Sequence, residues 1–169
     1  MEKKLLLLGV LRGQEMHGYQ LSEHLEHRGG MPVTLTKSNA YKLLGKMEKD
    51  GWVTAHEERE GNRPPRRVYA ITPEGEAAFQ RMVRESLAAY PTPELPGVVA
   101  LNYLNTLFPD EAISLLGGRR ERIEARLGEI ETFPADVRST HPGIEYLHRF
   151  YLAELEWLDE VIGRLSSNA

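Results

Sequence analysis

Lys37-Ser38-Asn39-Ala40-Tyr41-Lys42-Leu43-Leu44-Gly45-Lys46-Met47-Glu48-Lys49-Asp50-Gly51-Trp52 is the stretch on which the fold turns. Wound at ~100° per residue, it puts Ala40, Leu43, Leu44 and Met47 on one side. Ser38, Asn39, Lys42, Gly45, Lys46 and Lys49 fall on the other, with Tyr41 on the flank. Gly51 stands where a C-terminal glycine cap belongs, so a helix is predicted over residues 37–50. Its apolar side can dock on a core. Its polar side carries the groups that read a duplex: Asn suits an adenine edge, Ser a base or phosphate, Lys a guanine or phosphate. A lysine-rich face that is merely solvated is the plain alternative. Gly45 costs about 1 kcal/mol relative to alanine in mid-helix. Close approach of a phosphate backbone would account for it, and so would ordinary packing.

Outward from this helix, residues 52–58 and 67–71 read as strands. The loop between them, Arg59-Glu60-Gly61-Asn62-Arg63-Pro64-Pro65-Arg66, is polar and rich in chain breakers. Arg63, Arg66 and Arg67 lie beside its tip, where they can reach phosphates or a minor groove. Pro64 and Pro65 should stiffen it. Thr72-Pro73 opens a further helix, with Thr as N-cap and Pro at the first helical position. Upstream, residues 18–27 form a second helix with Tyr19, Leu21 and Leu25 as apolar positions, stopped by Gly29-Gly30-Met31-Pro32. Residues 5–11 form a short, almost wholly apolar helix that must be buried. Three helices followed by a two-stranded hairpin is the order of a winged helix-turn-helix.

Pro91-Thr92-Pro93-Glu94-Leu95-Pro96-Gly97 cannot continue a helix and divides the chain into residues 1–90 and 91–169. The second region is all helix: a short one over residues 97–107, a longer one from Pro109, and a last one over residues 142–165. The fold class is therefore mainly α with a small β-hairpin (α+β). The long helix repeats Ile113, Leu116, Ile123, Leu127 and Ile130 at near-heptad spacing. The last carries Ile144, Leu147, Tyr151, Leu155, Leu158, Ile162 and Leu165 on one stripe. Those seven, with Leu5 and Leu8, are expected to form a homodimer seam. Tyr103, Phe150 and Trp157 are candidates for an effector pocket, with plain interface core as the alternative.

Composition narrows the function. In 169 residues the net charge is −4, but the signs are segregated. Up to Tyr90 there are fourteen Lys and Arg against twelve Asp and Glu, a net of +2; the remainder carries −6. An acidic rear with a basic front can orient a protein on DNA. There is no cysteine, hence no disulfide and no thiolate chemistry. The six histidines form no HExxH pattern, so no metal is expected. Nucleophile-elbow, P-loop and dinucleotide signatures are missing, so neither an enzyme nor a cofactor is expected. The apolar run after Lys4 stops at Arg12 with no cleavage site, and no stretch approaches a bilayer span; a cytoplasmic protein with no membrane partner is expected.

Three spaced segments resemble PadR-type transcriptional regulators. The first is Leu6-Leu7-Leu8-Gly9-Val10-Leu11 with His17-Gly18-Tyr19-Gln20-Leu21. The second is Ser38-Asn39-Ala40-Tyr41-Lys42-Leu43-Leu44 with Met47-Glu48-Lys49-Asp50-Gly51-Trp52-Val53. The third is Arg67-Val68-Tyr69-Ala70-Ile71-Thr72-Pro73-Glu74-Gly75. They cover about the first eighty residues, and the rest is similar, more loosely, to the helical dimerisation region of the longer subfamily. The resemblance implies a homodimeric repressor on palindromic operator DNA, often induced by a small molecule. It puts Tyr41 and Lys42 on the DNA side and gives His17, Gly18 and Tyr19 structural roles. The expected DNA-binding set is Lys37, Ser38, Asn39, Tyr41, Lys42, Lys46, Lys49, Arg63, Arg66 and Arg67. Ser38-Asn39-Ala40 departs from a frequent glycine-threonine pair, and the two wing prolines depart from a plainer turn. The competing reading is a winged-helix module for protein assembly without sequence-specific DNA binding.

Overall fold

The computed structural model describes residues 1–26, 35–59, 66–90, 95 and 97–167. The wing tip with Arg63, the end of the second helix at Gly29 to Pro32, and most of the proline-rich divider lie outside these residues. The described residues up to Tyr90 form one compact unit, and those from Leu95 onward a second.

The first unit runs α1 (Glu2–Leu11), β1 (Met16–His17), α2 (Gly18–Glu26), α3 (Lys37–Lys49), β2 (Val53–Glu58), β3 (Arg66–Ile71) and α4 (Pro73–Ala88). Helix α1 is apolar nearly all round, and the unit closes over it: Leu7, Leu8, Val10 and Leu11 are buried. They meet Leu21, Ala40, Leu44, Met47, Val53 and Tyr69 in one core. The sheet has three strands, not the two of the expected hairpin, in the order β1-β3-β2. Strand β1 sets Met16 opposite Tyr69 and His17 opposite Val68, antiparallel. Two residues are too short for any alternation to show. Across the hairpin the register runs from Val53 opposite Ile71 to Glu58 opposite Arg66.

Local chemistry sets the turns. Helix α3 starts on Thr36, whose hydroxyl accepts from the Asn39 N–H at 3.4 Å. It ends in a Schellman motif: Gly51 N–H donates to Glu48 C=O at 3.1 Å and Trp52 N–H to Met47 C=O at 2.8 Å. Gly51 has φ +74°, the left-handed conformation that glycine tolerates. Thr72 both caps and ties. Its hydroxyl accepts from Gly75 N–H at 3.0 Å and donates to Gly51 C=O at 2.6 Å. A Cβ on Gly75 would collide with the Trp52 carbonyl, so α4 can approach the α3–β2 corner only with glycine there. Arg12 donates to Glu76 at 2.6 Å, fastening the end of α1 to α4.

The second unit contains α5 (Val98–Leu101), a 3₁₀ turn (Leu104–Thr106), α6 (Pro109–Glu131), α7 (Ala135–Thr140) and α8 (Pro142–Ser167). The expected helix over residues 97–107 is thus two short turns, and α7 was not foreseen. Helices α6 and α8 pair through Leu116, Ile123, Leu158 and Val161. The pair is also stitched by ion pairs, Arg119 to Glu154 and Arg120 to Asp159. No helix among the described residues is long and apolar enough to cross a membrane.

Candidate nucleic-acid interface

Helix α3 separates its residues as its periodicity demands. Ala40, Leu44 and Met47 are buried in the core. Lys37, Ser38, Asn39, Tyr41, Lys42, Lys46 and Lys49 are all exposed. Among the described residues no carboxylate pairs with Lys37, Lys42, Lys46 or Lys49, so four ammonium groups stand on this face uncompensated. Gly45 lies among them, and a Cβ there would meet nothing within 4 Å. No packing among the described residues accounts for glycine at this position. Tyr41 is held by the start of α2: a Cβ on Gly18 would come within 2.5 Å of its ring and 2.9 Å of its hydroxyl. The glycine lets the ring lie against the α2 terminus, at the flank of the lysine face.

The two wing arginines that the structure describes are consecutive on β3, and successive side chains on a strand leave opposite faces. Arg67 reaches back to α3, where its Nη2 donates to both carboxylate oxygens of Glu48, at 2.7 and 3.0 Å. Arg66 turns to α2. Its guanidinium sits 5.2 Å from the centre of the Tyr19 ring and donates to the Tyr19 hydroxyl at 3.4 Å. Tyr19 in turn stacks on His17, with ring centres 5.6 Å apart. His17 Nε2 lies 3.5 Å from Glu58, the last residue of β2. Below Arg67, burial pushes the Tyr69 phenol above its ordinary pKa, and the nearby Arg67 charge opposes that shift.

The predicted residues therefore fall into three groups. The α3 residues share one exposed face. Arg66 and Arg67 stand at the wing base, engaged with Tyr19 and Glu48. Arg63 lies outside the described residues. Sequence reasoning passed over Glu48 as a functional residue, although a signal was present: it is the one carboxylate among the four lysines of α3. Tyr19 was read as structural, and its ring also carries Arg66.

In the second unit, an open groove of about 1170 Å³ runs between α5, α6 and α8. Its apolar bed includes Val98, Leu115, Phe150 and Trp157, and its edge carries Arg119, Arg122 and Arg126. Phe150 and Trp157 were expected to line a pocket and do line this groove. Tyr103 is exposed and not among its lining residues. Two residues of the expected dimer seam are not at a surface. Leu8 and Leu158 are completely buried, each in the core of its own unit. Tyr151, Leu155, Ile162 and Leu165 pack onto the same core as Leu158. Leu5 packs half-buried on the first core, and Ile144 and Leu147 are half-buried. The stripe that α8 leaves in the open is the neighbouring one: Tyr146, Phe150, Ala153 and Trp157. Periodicity showed that a stripe exists, but α6 takes the first of the two. Among the described residues no group of three His, Asp or Glu could hold a metal ion.

Residues 7–81 match the Transcriptional regulator PadR-like family. The chain is 29% identical to the "Probable transcriptional regulator Rv1176c" of Mycobacterium tuberculosis, over 92% of this chain and 93% of that protein. It is 22% identical to the "Negative transcriptional regulator PadR" of Bacillus subtilis, over 76% of this chain and 70% of that one. The fold matches Bacillus subtilis PadR solved in complex with operator DNA, with a TM-score of 0.78 and 18% identity over 96% of this chain and 98% of that chain. It also matches the same protein solved with p-coumaric acid, with a TM-score of 0.74 and 17% identity over 96% and 94%. Over residues 7–81, the N-terminal unit is similar to the PadR-like family of transcriptional regulators.

Proposed function

We propose that the chain is a homodimeric, cytoplasmic repressor that reads a palindromic operator with the lysine face of α3 and anchors the flanking backbone with the wing. The observation that carries this reading is the division of α3: three apolar residues seal it to the core, and four lysines with no carboxylate partner among the described residues remain on the open side with Ser38 and Asn39. A surface of that kind attracts a polyanion and offers base-edge partners at the same place. The repressor role is supported by the name of the Bacillus subtilis relative and by its solved operator complex. Dimerisation is supported by the exposed α8 stripe, because contiguous apolar surface of this kind marks an interaction site. An effector is read into the groove beside Phe150 and Trp157. An aromatic acid is the first compound to try, given the p-coumaric acid complex of the Bacillus subtilis protein.

The test is selection of bound duplex from a random pool at two salt concentrations. The expected product is a palindrome with half-sites separated by about 10 base pairs or a multiple. Affinity should fall steeply with salt, with a slope of about −0.9 per phosphate contacted. A pool that enriches no sequence would defeat this reading.

A further inference from the structure

Arg66 and Arg67 differ in what their partners do to their charge. Tyr19 offers Arg66 a ring face and a hydroxyl oxygen, both neutral, and although Glu58 stands opposite on the ladder, no carboxylate among the described residues forms an ion pair with it. Arg67 is matched by a carboxylate that takes its Nη2 on both oxygens. Glu48 stands on the last turns of α3, and Arg67 stands one rung inside the end of the ladder, opposite Glu57. The pair thus bridges the helix that carries the lysine face and the strand that carries the wing. A phosphate that captured Arg67 would leave Glu48 unpaired beside a polyanion, a repulsion that the intact pair avoids. Lys46 and Lys49 flank Glu48 in sequence, but helix positions one and two apart do not face each other, so Glu48 turns to Arg67 on β3 and not to a neighbour on α3.

We propose that Glu48 is a positioning residue for DNA reading, an inference that rests on the function proposed above. By holding Arg67 it ties β3 to α3, sets the wing relative to the recognition helix, and withholds Arg67 from the phosphates. Arg66 is then the β3 arginine that meets the backbone.

The proposal reverses a sign that electrostatics alone would give. Removing an acid from a DNA-facing surface should tighten binding to every duplex. Removing a positioning acid should weaken the specific duplex while sparing the non-specific one. The experiment compares Glu48→Ala, Arg67→Ala, the double variant and Arg66→Ala on the duplex selected by the wild-type protein and on a scrambled duplex, across a salt series. Glu48→Ala and Arg67→Ala are each expected to weaken the selected duplex about tenfold, with the double variant no worse than either, as for two residues acting through one contact. Arg67→Ala should leave the salt slope unchanged, whereas Arg66→Ala should flatten it by about 0.9. Tighter binding of both duplexes by Glu48→Ala, or a slope flattened by about 0.9 in Arg67→Ala, would overturn the proposal. A wild-type protein that ignores the difference between the duplexes would instead defeat the function reading. The tie is then decided on free protein by amide exchange. Faster exchange over residues 53–58 and 66–71 in both single variants, with no further gain in the double, upholds it; unchanged exchange overturns it.

Discussion

The first unit spends its apolar residues on itself, and the second does not. In the first, α1 is wrapped by α2, α3, the sheet and α4, and Leu7, Leu8, Leu21 and Met47 have no exposed surface at all. What it leaves open is mainly charged and polar. In the second, α6 and α8 seal one seam around Leu158 and leave Val99, Phe108, Leu115, Tyr146, Phe150 and Trp157 exposed. The difference is geometric. Two long helices in contact each bury one stripe, and a helix with two apolar stripes needs a second neighbour. A winged helix can be complete as one chain, whereas the second unit leaves an apolar stripe of α8 uncovered among the described residues, which is what the proposed dimer would cover.

The strongest way to test that contrast is to place a charge on each side of α8. Leu158→Asp buries a carboxylate in the α6–α8 seam, and the second unit should lose about 4 kcal/mol or more. Circular dichroism should show helix loss with the first unit still folded; a fully folded variant would mean that the seam is not the core of the unit. One residue away, Trp157→Asp faces the groove. Helix content should be kept while the dimer weakens on the order of a hundredfold, as for a hot-spot aromatic. Sedimentation equilibrium reads this, and an unchanged dimer would remove Trp157 from the interface.

Smaller effects probe the self-sufficiency of the first unit. Thr72→Ala removes the α4 cap and the bond to Gly51 together, and should cost about 1–2 kcal/mol. In thermal unfolding that is a shift of roughly 4–8 °C per kcal/mol for a unit of this size. A melting temperature that does not move would show that the Trp52 corner holds without Thr72. The smallest effect is electrostatic. The Arg12 hydrogen bond, helped by one from Gln80, holds Glu76 below the ordinary carboxylate range. A carboxyl whose folded pKa lies below its unfolded value stabilises the fold above the ordinary range, and the gain is lost as pH falls through the lowered value. Glu76→Gln should therefore cost stability at neutral pH and flatten the acid limb of the stability curve below it. An acid limb of unchanged steepness would deny the pair any share in stability.

Local rules carried the reading a long way. The helix over residues 37–49, its buried Ala40, Leu44 and Met47, the glycine cap at Gly51, the Thr72-Pro73 start and the hairpin strands all follow from periodicity and turn chemistry within a few residues. So did the existence of an apolar stripe on α8. Beyond that reach the reading failed in a consistent manner. Strand β1 exists because β3 offers it an edge, which two residues cannot announce by themselves. Leu158 was expected in a seam with a partner chain and lies in the core of its own unit, because the sequence shows how often apolar residues recur and not which surface receives them.

Sequence by itself determined the main helices and the hairpin of the first unit, which side of α3 is apolar, and the family that the first unit resembles. These depend on neighbours three or four positions apart and on caps that act within one turn. Only the tertiary structure decided that Glu48 takes Arg67, that Tyr41 lies on Gly18, and that Leu158 is sealed in the α6–α8 core while Trp157 stays partly exposed in the groove. Each of those is a choice among chemically equal partners distant along the chain, and packing in three dimensions is what separates them.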